Sequence, residues 1–282
     1  MDILETKDAV DEWRGRQGAA SIGLVPTMGF LHEGHLSLVR RARAENDRVM
    51  ATIFVNPTQF GPNEDFDDYP RKPERDCDLL AAEGVDAVFM PSVAEMYPDG
   101  FATSVTVSGS ITEALCGSSR PTHFAGVTTV VARLFGVTQP DRAYFGQKDA
   151  QQLAVIRRMT TDMALPVEVV GCPIVRESDG IAMSSRNVYL SDGERVQALA
   201  LRGSIDLAER RIAEGVRDVA TLRDEILRGF ADRPLVRVDY VEFVHGETLE
   251  PVETLVGPVL LALAAFAGKT RLIDNATFHV DG

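Results

Sequence analysis

The first half of the chain alternates short apolar runs with segments of helical periodicity. Buried strands are predicted at the apolar runs of residues 20–25, 48–55, 86–90, 142–145 and 167–175. Helices are predicted at residues 3–16, 36–43, 70–83, 124–137 and 150–163. Strands that alternate with helices in this way are typical of a parallel sheet built from βαβ units.

The pattern changes near residue 174, where this alternation ends. Ser191 and Glu194 fit a capping box, which predicts a helix that continues to about residue 214. The later elements are predicted as a helix at residues 219–230 and strands at residues 236–244, 259–266 and 271–278. A hairpin signal at residues 267–270 separates the last two strands, and the whole region indicates an α+β arrangement.

These patterns predict an α/β fold, with a parallel-sheet domain at residues 1–174 and a smaller α+β domain at residues 175–282. Weak alternation at residues 101–107 predicts an additional edge strand in the first domain. Trp13, on the first predicted helix, is expected to pack against the body of the protein.

The composition is that of an ordinary globular protein, and its charge restricts the class of partner. The 282 residues are 45% hydrophobic and 25% charged, with a formal net charge of −13. This charge repels nucleic acids and anionic membranes at long range, so we expect neither as a partner. A site for an anionic ligand would therefore need cations concentrated locally. Such cations occur in glycine- or motif-rich segments, at Arg71, Lys72, Arg120, Lys148, Arg176 and Arg186.

The three cysteines, Cys77, Cys116 and Cys172, are widely spaced and form neither a CxxC pair nor a cluster with histidine. The sequence therefore predicts buried free thiols in a reducing cytosol, and neither a disulfide framework nor a zinc site. The chain opens with no signal-peptide pattern, and its longest apolar run, residues 259–267, is too short to span a bilayer. We expect a cytoplasmic protein.

The stretch from Pro26 to His35 joins a predicted buried strand to a predicted helix. Its glycines allow a ligand to approach the backbone, and the start of a helix directs N–H groups and a positive dipole at an anion. His32 and His35 add imidazoles that can carry charge or donate hydrogen bonds near neutral pH. The stretch predicts a phosphate site, although a hydrogen-bonded turn explains the same residues. It lacks the further ligands that a metal site needs.

Two more polar segments follow predicted strands, where ligands bind in open α/β sheets. Asn56 and Gln59 could cap a turn, or their amides could hydrogen-bond a small polar substrate. Lys148 could be a solvated neighbour of a helix cap at Asp149, or its ammonium could bind a phosphate.

A loop and a helix supply further polar groups. Met183-Ser184-Ser185-Arg186-Asn187 fits a surface loop, and it also fits a flexible arm whose hydroxyls and guanidinium close over a triphosphate. Gln151 and Gln152 lie on different sides of one predicted helix, so at most one of them should face a cleft.

Together, the four segments resemble the pantothenate synthetase (pantoate–β-alanine ligase) family, and Leu272-Ile273-Asp274-Asn275 also fits that family. HxGH followed by an SSR-type loop also marks the wider group of nucleotidyltransferases. The resemblance implies a Rossmann-like N-terminal domain, a C-terminal lid domain and a homodimer. It also implies that ATP, with Mg²⁺, drives the condensation of (R)-pantoate with β-alanine. The reaction would proceed through a pantoyl adenylate to pantothenate, AMP and pyrophosphate.

The resemblance also assigns residues, by match to the family's motifs. It places ATP at Met28, Gly29, Phe30, Leu31, His32, Glu33, Gly34, His35, Gly146, Gln147, Lys148, Asp149, Val175, Met183, Ser184, Ser185 and Arg186. It places pantoate at Asn56, Gln59 and Gln152, with Gln59 also near β-alanine, and a neighbouring anion near Arg120. The implied catalytic residues are His32, His35, Lys148 and Arg186, with His35 as the proton donor. A dedicated metal site is not implied, because Mg²⁺ would arrive with ATP.

Two positions depart from the family pattern. Gln147 stands where many members carry Glu, and Thr122 stands where some carry Gly. Neither change removes a group that the chemistry needs.

Three alternative functions share part of the pattern. A nucleotidyltransferase that adenylylates a phosphate ester would use His32, His35 and the 183–186 loop, but it would not need Gln59 and Gln152. An RNA binder like an aminoacyl-tRNA synthetase is disfavoured by the net charge of −13. A non-catalytic binding protein is disfavoured because all the candidate phosphate donors are present.

Overall fold

The computed structural model describes residues 1–62, 64 and 66–281. The strands are β1 (Asp2–Leu4), β2 (Ile22–Thr27), β3 (Arg48–Ile53), β4 (Ala87–Phe89), β5 (Arg142–Gly146), β6 (Glu168–Cys172), β7 (Val236–His245), β8 (Gly257–Ala267) and β9 (Thr270–Val280). The α-helices are α1 (Lys7–Gly15), α2 (Glu33–Glu45), α3 (Pro73–Ala82), α4 (Val93–Met96), α5 (Ser110–Glu113), α6 (Cys116–Ser119), α7 (His123–Thr138), α8 (Ala150–Asp162), α9 (Asp192–Ala198), α10 (Ala200–Ala213) and α11 (Val219–Arg228). Short 3₁₀ helices lie at Pro57–Gln59, Gln147–Asp149 and Ser185–Tyr189.

The chain forms two compact units. The first unit comprises Met1–Thr112 and Cys116–Pro173, and the second comprises Glu113–Leu115 and Ile174–Gly282. Each unit buries apolar side chains in a core of its own.

A six-stranded parallel sheet forms the centre of the first unit, with strand order β1-β4-β3-β2-β5-β6. Central side chains such as Leu24 and Met50 are fully buried, as expected for a parallel sheet covered on both faces. The order of the strands along the chain reverses between β2 and β5, which opens a crevice at the carboxyl ends of these neighbours. The prediction of a Rossmann-like α/β fold is confirmed. The segments that follow β2 and β5, which begin at Met28 and Gln147, start at this crevice.

A three-stranded antiparallel sheet, ordered β7-β8-β9, forms the second unit together with α10 and α11. The predicted hairpin between β8 and β9 is confirmed, and Gly268 supplies its positive φ of 57°. The predicted capping box of Ser191 and Glu194 is also confirmed. The prediction of one continuous helix to residue 214 is wrong. Leu199 stays in the right-handed helical region, but its ψ of −13° departs from the α-helical value of about −42°, and this residue separates α9 from α10.

Two predictions for the first unit need correction. The edge strand predicted at residues 101–107 is wrong, because this described segment pairs with no strand. Instead, Val105 hydrogen-bonds through its backbone to the hydroxyls of Thr128 and Thr129 on α7. The first helix starts at Lys7, not residue 3, because Asp2–Leu4 pairs with β4. Trp13 is 2% exposed and packs in the core, as predicted.

The cysteines are free, and Cys172 is buried. Cys77 and Cys116 are only partly buried, which corrects the prediction of three buried thiols. None of the described helices combines the length and the hydrophobicity that a membrane crossing requires.

Candidate active site

The turn from Met28 to His35 connects β2 to α2, and a buried carboxylate fixes its backbone. Gly29 and Phe30 have φ values of 82° and 48°, so the chain passes through the left-handed region twice in succession. Asp76, on α3, is 1% exposed and accepts hydrogen bonds from the backbone N–H groups of Phe30 at 2.6 Å and Leu31 at 2.8 Å. This contact compensates the buried carboxylate and sets the direction in which the chain enters α2.

His32 and His35 cap the first turn of α2 reciprocally. The Nδ1 atom of His32 accepts from the N–H of Gly34 at 3.1 Å, and the Nδ1 atom of His35 accepts from the N–H of His32 at 3.3 Å. The two ring centroids are 4.0 Å apart. An Nδ1 that accepts a backbone N–H carries no proton, so the proton of each neutral ring lies on Nε2. Both imidazoles are thereby preset as Nε2–H donors.

The surroundings of His35 disfavour its cationic form. Burial is the largest cause that lowers the pKa of His35 well below its ordinary value, followed by the nearby charges of His32 and Lys148. His35 is therefore neutral at pH 7 and acts as a hydrogen-bond donor, not as a fixed positive charge. The same effect shows that Lys148, which is far away in sequence, lies near the histidine turn.

Lys148 lies in the 3₁₀ helix that follows β5, the sheet neighbour of β2. Its side chain is 20% exposed, and its Nζ is 3.9 Å from the carboxylate of Asp149. Asp149 occupies the N-cap position of α8 but makes no capping hydrogen bond there, so the predicted capping role of Asp149 is wrong. Gly146 ends β5 and Gln147 begins the 3₁₀ helix, which places the whole 146–149 segment at the crevice edge.

Asn56 lies just beyond β3 and is 1% exposed. Its Oδ1 accepts from the N–H and hydroxyl of Thr58 and from the hydroxyl of Tyr97, at 3.3, 2.9 and 2.8 Å. Its Nδ2 donates to the backbone oxygen of Gly126 and to Oε1 of Gln59, at 3.2 and 3.1 Å. The side chain of Asn56 is therefore occupied by the protein itself, and it orients the amide of Gln59.

Gln59 ends the 3₁₀ helix after Asn56 and is only partly buried. Because Nδ2 of Asn56 donates to its Oε1, the Nε2 group is the end directed elsewhere, and it reaches Sδ of Met28 at 3.4 Å. Gln59 thus lies beside the first residue of the histidine turn. The segments after β2 and β3 meet here, as expected for neighbouring parallel strands.

Gln151 and Gln152 face different sides of α8, as predicted. Gln151 is 6% exposed and is fixed by hydrogen bonds from the N–H of Cys116 and to the backbone oxygen of Ile111. Gln152 is only partly buried, which leaves it as the member of the pair that a ligand could reach.

Several predicted cations are occupied by protein groups. Arg120 forms a bidentate pair with Glu64, and Arg71 donates to the backbone oxygens of the loop at residues 66–69. Arg120 is therefore paired with a carboxylate of this chain, and its role toward a neighbouring anion stays a prediction. The Glu33 carboxylate at the start of α2 is exposed and pairs with Arg40.

In the second unit, Val175 and Met183 pair across a narrow loop, since the N–H of Met183 donates to the oxygen of Val175 at 2.9 Å. Arg176, next to this pair, forms a bidentate contact with Asp274 of β9 at 2.7 and 2.9 Å. Ser184 then caps the 3₁₀ helix by accepting from the N–H of Arg186, and Ser185 is buried. The cation at Arg176 is thus part of the scaffold of the loop.

Comparison with known proteins decides the family. The sequence profile described as pantoate-beta-alanine ligase matches residues 2–277, which is nearly the whole chain. The chain is 55% identical to a pantothenate synthetase of Moorella thermoacetica, with 100% of each chain covered.

The chain belongs to the pantoate–β-alanine ligase family.

Solved structures agree with this assignment. A crystal structure of pantothenate synthetase from Thermus thermophilus superposes with a TM-score of 0.93 at 49% identity, covering 98% of this chain and 99% of the other. The pantoate-beta-alanine ligase of Francisella tularensis, complexed with beta-gamma ATP and beta-alanine, gives a TM-score of 0.80 at 33% identity, covering 98% and 97%. The resemblance to the pantoate–β-alanine ligase family found in the motifs is confirmed.

The structure adds residues that motif matching missed in this family member. Asp76 fixes the histidine turn, Tyr97 helps to fix Asn56, and Asp274 anchors the loop at Arg176. Each of these side chains acts on a residue that is 41 to 98 positions away in the chain, and no local pattern marks Asp76 or Tyr97. Asp274 lies in the Leu272–Asn275 stretch that fits the family, but its contact with Arg176 could not be read from that stretch.

Proposed function

We propose that this chain condenses pantoate with β-alanine at the expense of ATP, through a pantoyl adenylate, and releases AMP and pyrophosphate. The observation that carries the proposal is that Lys148 lies near His32 and His35, while Gln59 contacts Met28 at the start of the same turn, in a member of the pantoate–β-alanine ligase family. The three nitrogen donors suit phosphate oxygens, and the amide of Gln59 suits a small hydroxy acid.

In the first step, the pantoate carboxylate attacks the α-phosphorus of ATP, and the bond to pyrophosphate breaks. Negative charge increases on the phosphate oxygens in the transition state, where fixed donors are most effective. Nε2–H of His32 and of His35 would donate there, and the Lys148 ammonium would supply the positive charge. Because Asp76 and the reciprocal cap fix the turn, little reorganisation would be needed.

The amides beyond β3 and on α8 would hold the acid. Gln59, oriented by Asn56, would bind pantoate and lie near β-alanine, and Gln152 would also bind pantoate. In the second step, the β-alanine amine attacks the activated carbonyl carbon and forms the C–N bond. The bond from that carbon to the phosphate oxygen breaks, AMP leaves with this oxygen, and the nitrogen loses a proton to solvent. Asn56 would therefore contribute to pantoate binding by orienting the amide of Gln59.

We assign ATP and pantoate binding to residues 1–174 and a lid function to residues 175–282, on the family resemblance. Ser184, Ser185 and Arg186 would donate to the triphosphate, and Val175 and Met183 would border the nucleotide. The anchored hairpin of Val175 and Met183 supports this assignment, because it would give these donors a fixed base. A lid would exclude water from the reactive mixed anhydride.

Magnesium would enter as MgATP. Within the described residues, no group of three His, Cys, Asp or Glu side chains is placed to hold a metal ion. The donors at the turn carry N–H groups, which suit phosphate and not a cation. Mg²⁺ would therefore bind phosphate oxygens and offset their charge. We also propose, on the same resemblance, a homodimer that acts in the cytoplasm, and sedimentation would test the dimer.

The test is formation of AMP and pantothenate with ATP, Mg²⁺, pantoate and β-alanine, omitting each in turn. We expect equal amounts of both products in the complete mixture and none when any substrate is omitted. Exchange of labelled pyrophosphate into ATP should require pantoate but not β-alanine. Exchange that requires a phosphorylated substrate instead would show an adenylyltransferase and overturn the proposal.

A further inference from the structure

The junction between α6 and α7 contacts the loop that carries Gln59. Arg120 and His123, at this junction, both reach the backbone oxygen of Gln59: Nη2 of Arg120 at 3.3 Å and Nδ1 of His123 at 2.8 Å. A carbonyl oxygen only accepts, so Nδ1 of His123 carries the proton and donates. One oxygen atom, next to the proposed pantoate amide, is therefore held by two side chains from a separate element.

Glu64 completes this arrangement. Its carboxylate accepts from Nε of Arg120 at 2.6 Å and from Nη2 at 2.5 Å, and the two side chains are 27% and 21% exposed. Burial opposes ionisation of Glu64, but the hydrogen bond and the charge of Arg120 outweigh it and lower the pKa of the carboxyl. The bidentate geometry fixes the plane of the guanidinium, and so fixes the N–H that points at Gln59.

Gly126, on the next turn of α7, permits direct backbone contact with the same segment. A Cβ atom at this position would lie 2.3 Å from the backbone oxygen of Thr58 and 2.7 Å from Cα of Gln59. The helix that begins at His123 therefore lies against the Gln59 backbone without an intervening side chain. The hydrogen bonds to the backbone oxygen of Gln59 and the close contact at Gly126 therefore act on the same short segment.

We propose that Glu64, Arg120 and His123 form a clamp that positions Gln59 for pantoate. The inference rests on the proposed function, because it gives the clamp its effect through the pantoate-binding amide. The clamp residues are positioning residues: none of them is assigned a contact with substrate. Their loss should change pantoate binding more than ATP binding or turnover.

The test measures KM for pantoate, KM for ATP and kcat in Glu64→Gln, His123→Ala and His123→Asn. We expect KM for pantoate to rise about tenfold in Glu64→Gln and His123→Ala, the scale of one lost charge-assisted or buried hydrogen bond. KM for ATP should stay within about twofold. His123→Asn should restore KM, because the amide nitrogen of Asn occupies the place of Nδ1 and also donates.

A matched control comes from the second unit. Arg211 and Glu225 form a similar bidentate pair, at 2.8 and 2.9 Å, with side chains 31% and 23% exposed. Glu225→Gln should leave KM for pantoate unchanged. Urea unfolding of each variant separates a general loss of stability from a selective change in KM.

A double-mutant cycle decides whether the clamp acts through Gln59. In a Gln59→Ala background, Glu64→Gln should cause no further rise in KM for pantoate. Additive effects, or unchanged KM in the single variants of an active enzyme, would overturn the clamp. A wild-type protein that forms no AMP with pantoate would instead overturn the proposed function, so the two failures are distinguishable.

Discussion

The histidine turn of the first unit and the Val175–Arg186 loop of the second are both proposed to hold phosphate, but they are stabilised differently. In the turn, Asp76 acts directly on the backbone N–H groups of Phe30 and Leu31. In the loop, the contact between Arg176 and Asp274 joins two side chains at the base, before the chain reaches Ser184. The backbone of the turn is held by the two residues directly before His32, whereas the loop is held at its base, eight residues before Ser184.

This difference indicates which segment is preorganised. The imidazoles of the turn have their Nδ1 atoms engaged and their ring orientation set before any ligand binds. The hydroxyls of the loop depend on a base contact and on the cap that Ser184 provides. We therefore expect changes at the turn to reduce catalysis, and changes at the base of the loop to reduce stability first.

The largest effect should follow His35→Ala, because it removes one transition-state donor and the cap on the N–H of His32. We expect kcat to fall at least about a hundredfold, while the lost cap lowers the free energy of unfolding by about 1 kcal/mol. AMP release and urea denaturation measure the two quantities. His245→Ala is the control, since His245 also accepts backbone N–H groups through Nδ1, in the turn after β7. Near-normal turnover in His35→Ala would remove His35 from the mechanism.

Asp76→Asn tests whether the turn is preorganised by the buried carboxylate. The amide can accept only one of the two N–H groups and would turn an NH₂ toward the other, so about 2 kcal/mol of stabilisation should be lost. We expect kcat to fall about tenfold or more, because the donors lose their alignment. Asp78→Asn, an exposed position on the same helix, should have no effect. Equal effects in both variants would contradict the role of Asp76.

Asp274→Asn tests the base of the loop and should have a smaller effect. Asp274 is 3% exposed, but the Arg176 side chain is 21% exposed and can regain water, and the amide oxygen of Asn can still accept one hydrogen bond, so we expect a loss of about 1 kcal/mol in stability. KM for ATP should rise modestly, while the pantoate-dependent exchange of pyrophosphate into ATP should persist. A fall in kcat as large as that of His35→Ala would show that the two segments are not stabilised separately.

The sequence predicted most of the strands because they are short apolar runs bounded by local signals, such as the run that became β3 and the glycine turn between β8 and β9. It did not predict β1, because Asp2–Leu4 lies just before α1 and its residues fit the helical pattern of residues 3–16. Residues 101–107 resemble a strand since Val105 alternates with polar positions, but hydroxyls of α7 satisfy its backbone.

The residues of the candidate site also fall into two groups, those that the sequence could predict and those that it could not. His32, His35 and Lys148 follow strands and could be found from local pattern and family resemblance. Asp76 could not, because an acidic residue in the first turn of a helix is ordinary, and its partners lie 45 and 46 residues earlier. The cap expected at Asp149 fails because the preceding residues form a 3₁₀ helix that leads directly into α8.

The turn presents the neutral imidazole of His35 as an Nε2–H donor before any ligand binds. Nitrogen-15 NMR of the free protein, titrated from pH 8 downward, measures this directly through the shifts of Nδ1 and Nε2. Because the folded environment lowers the pKa of His35, we predict that its ring is still neutral, with the proton on Nε2, at the ordinary histidine pKa of about 6.5. A cationic ring near pH 7, or a proton on Nδ1 of His35, would contradict the account.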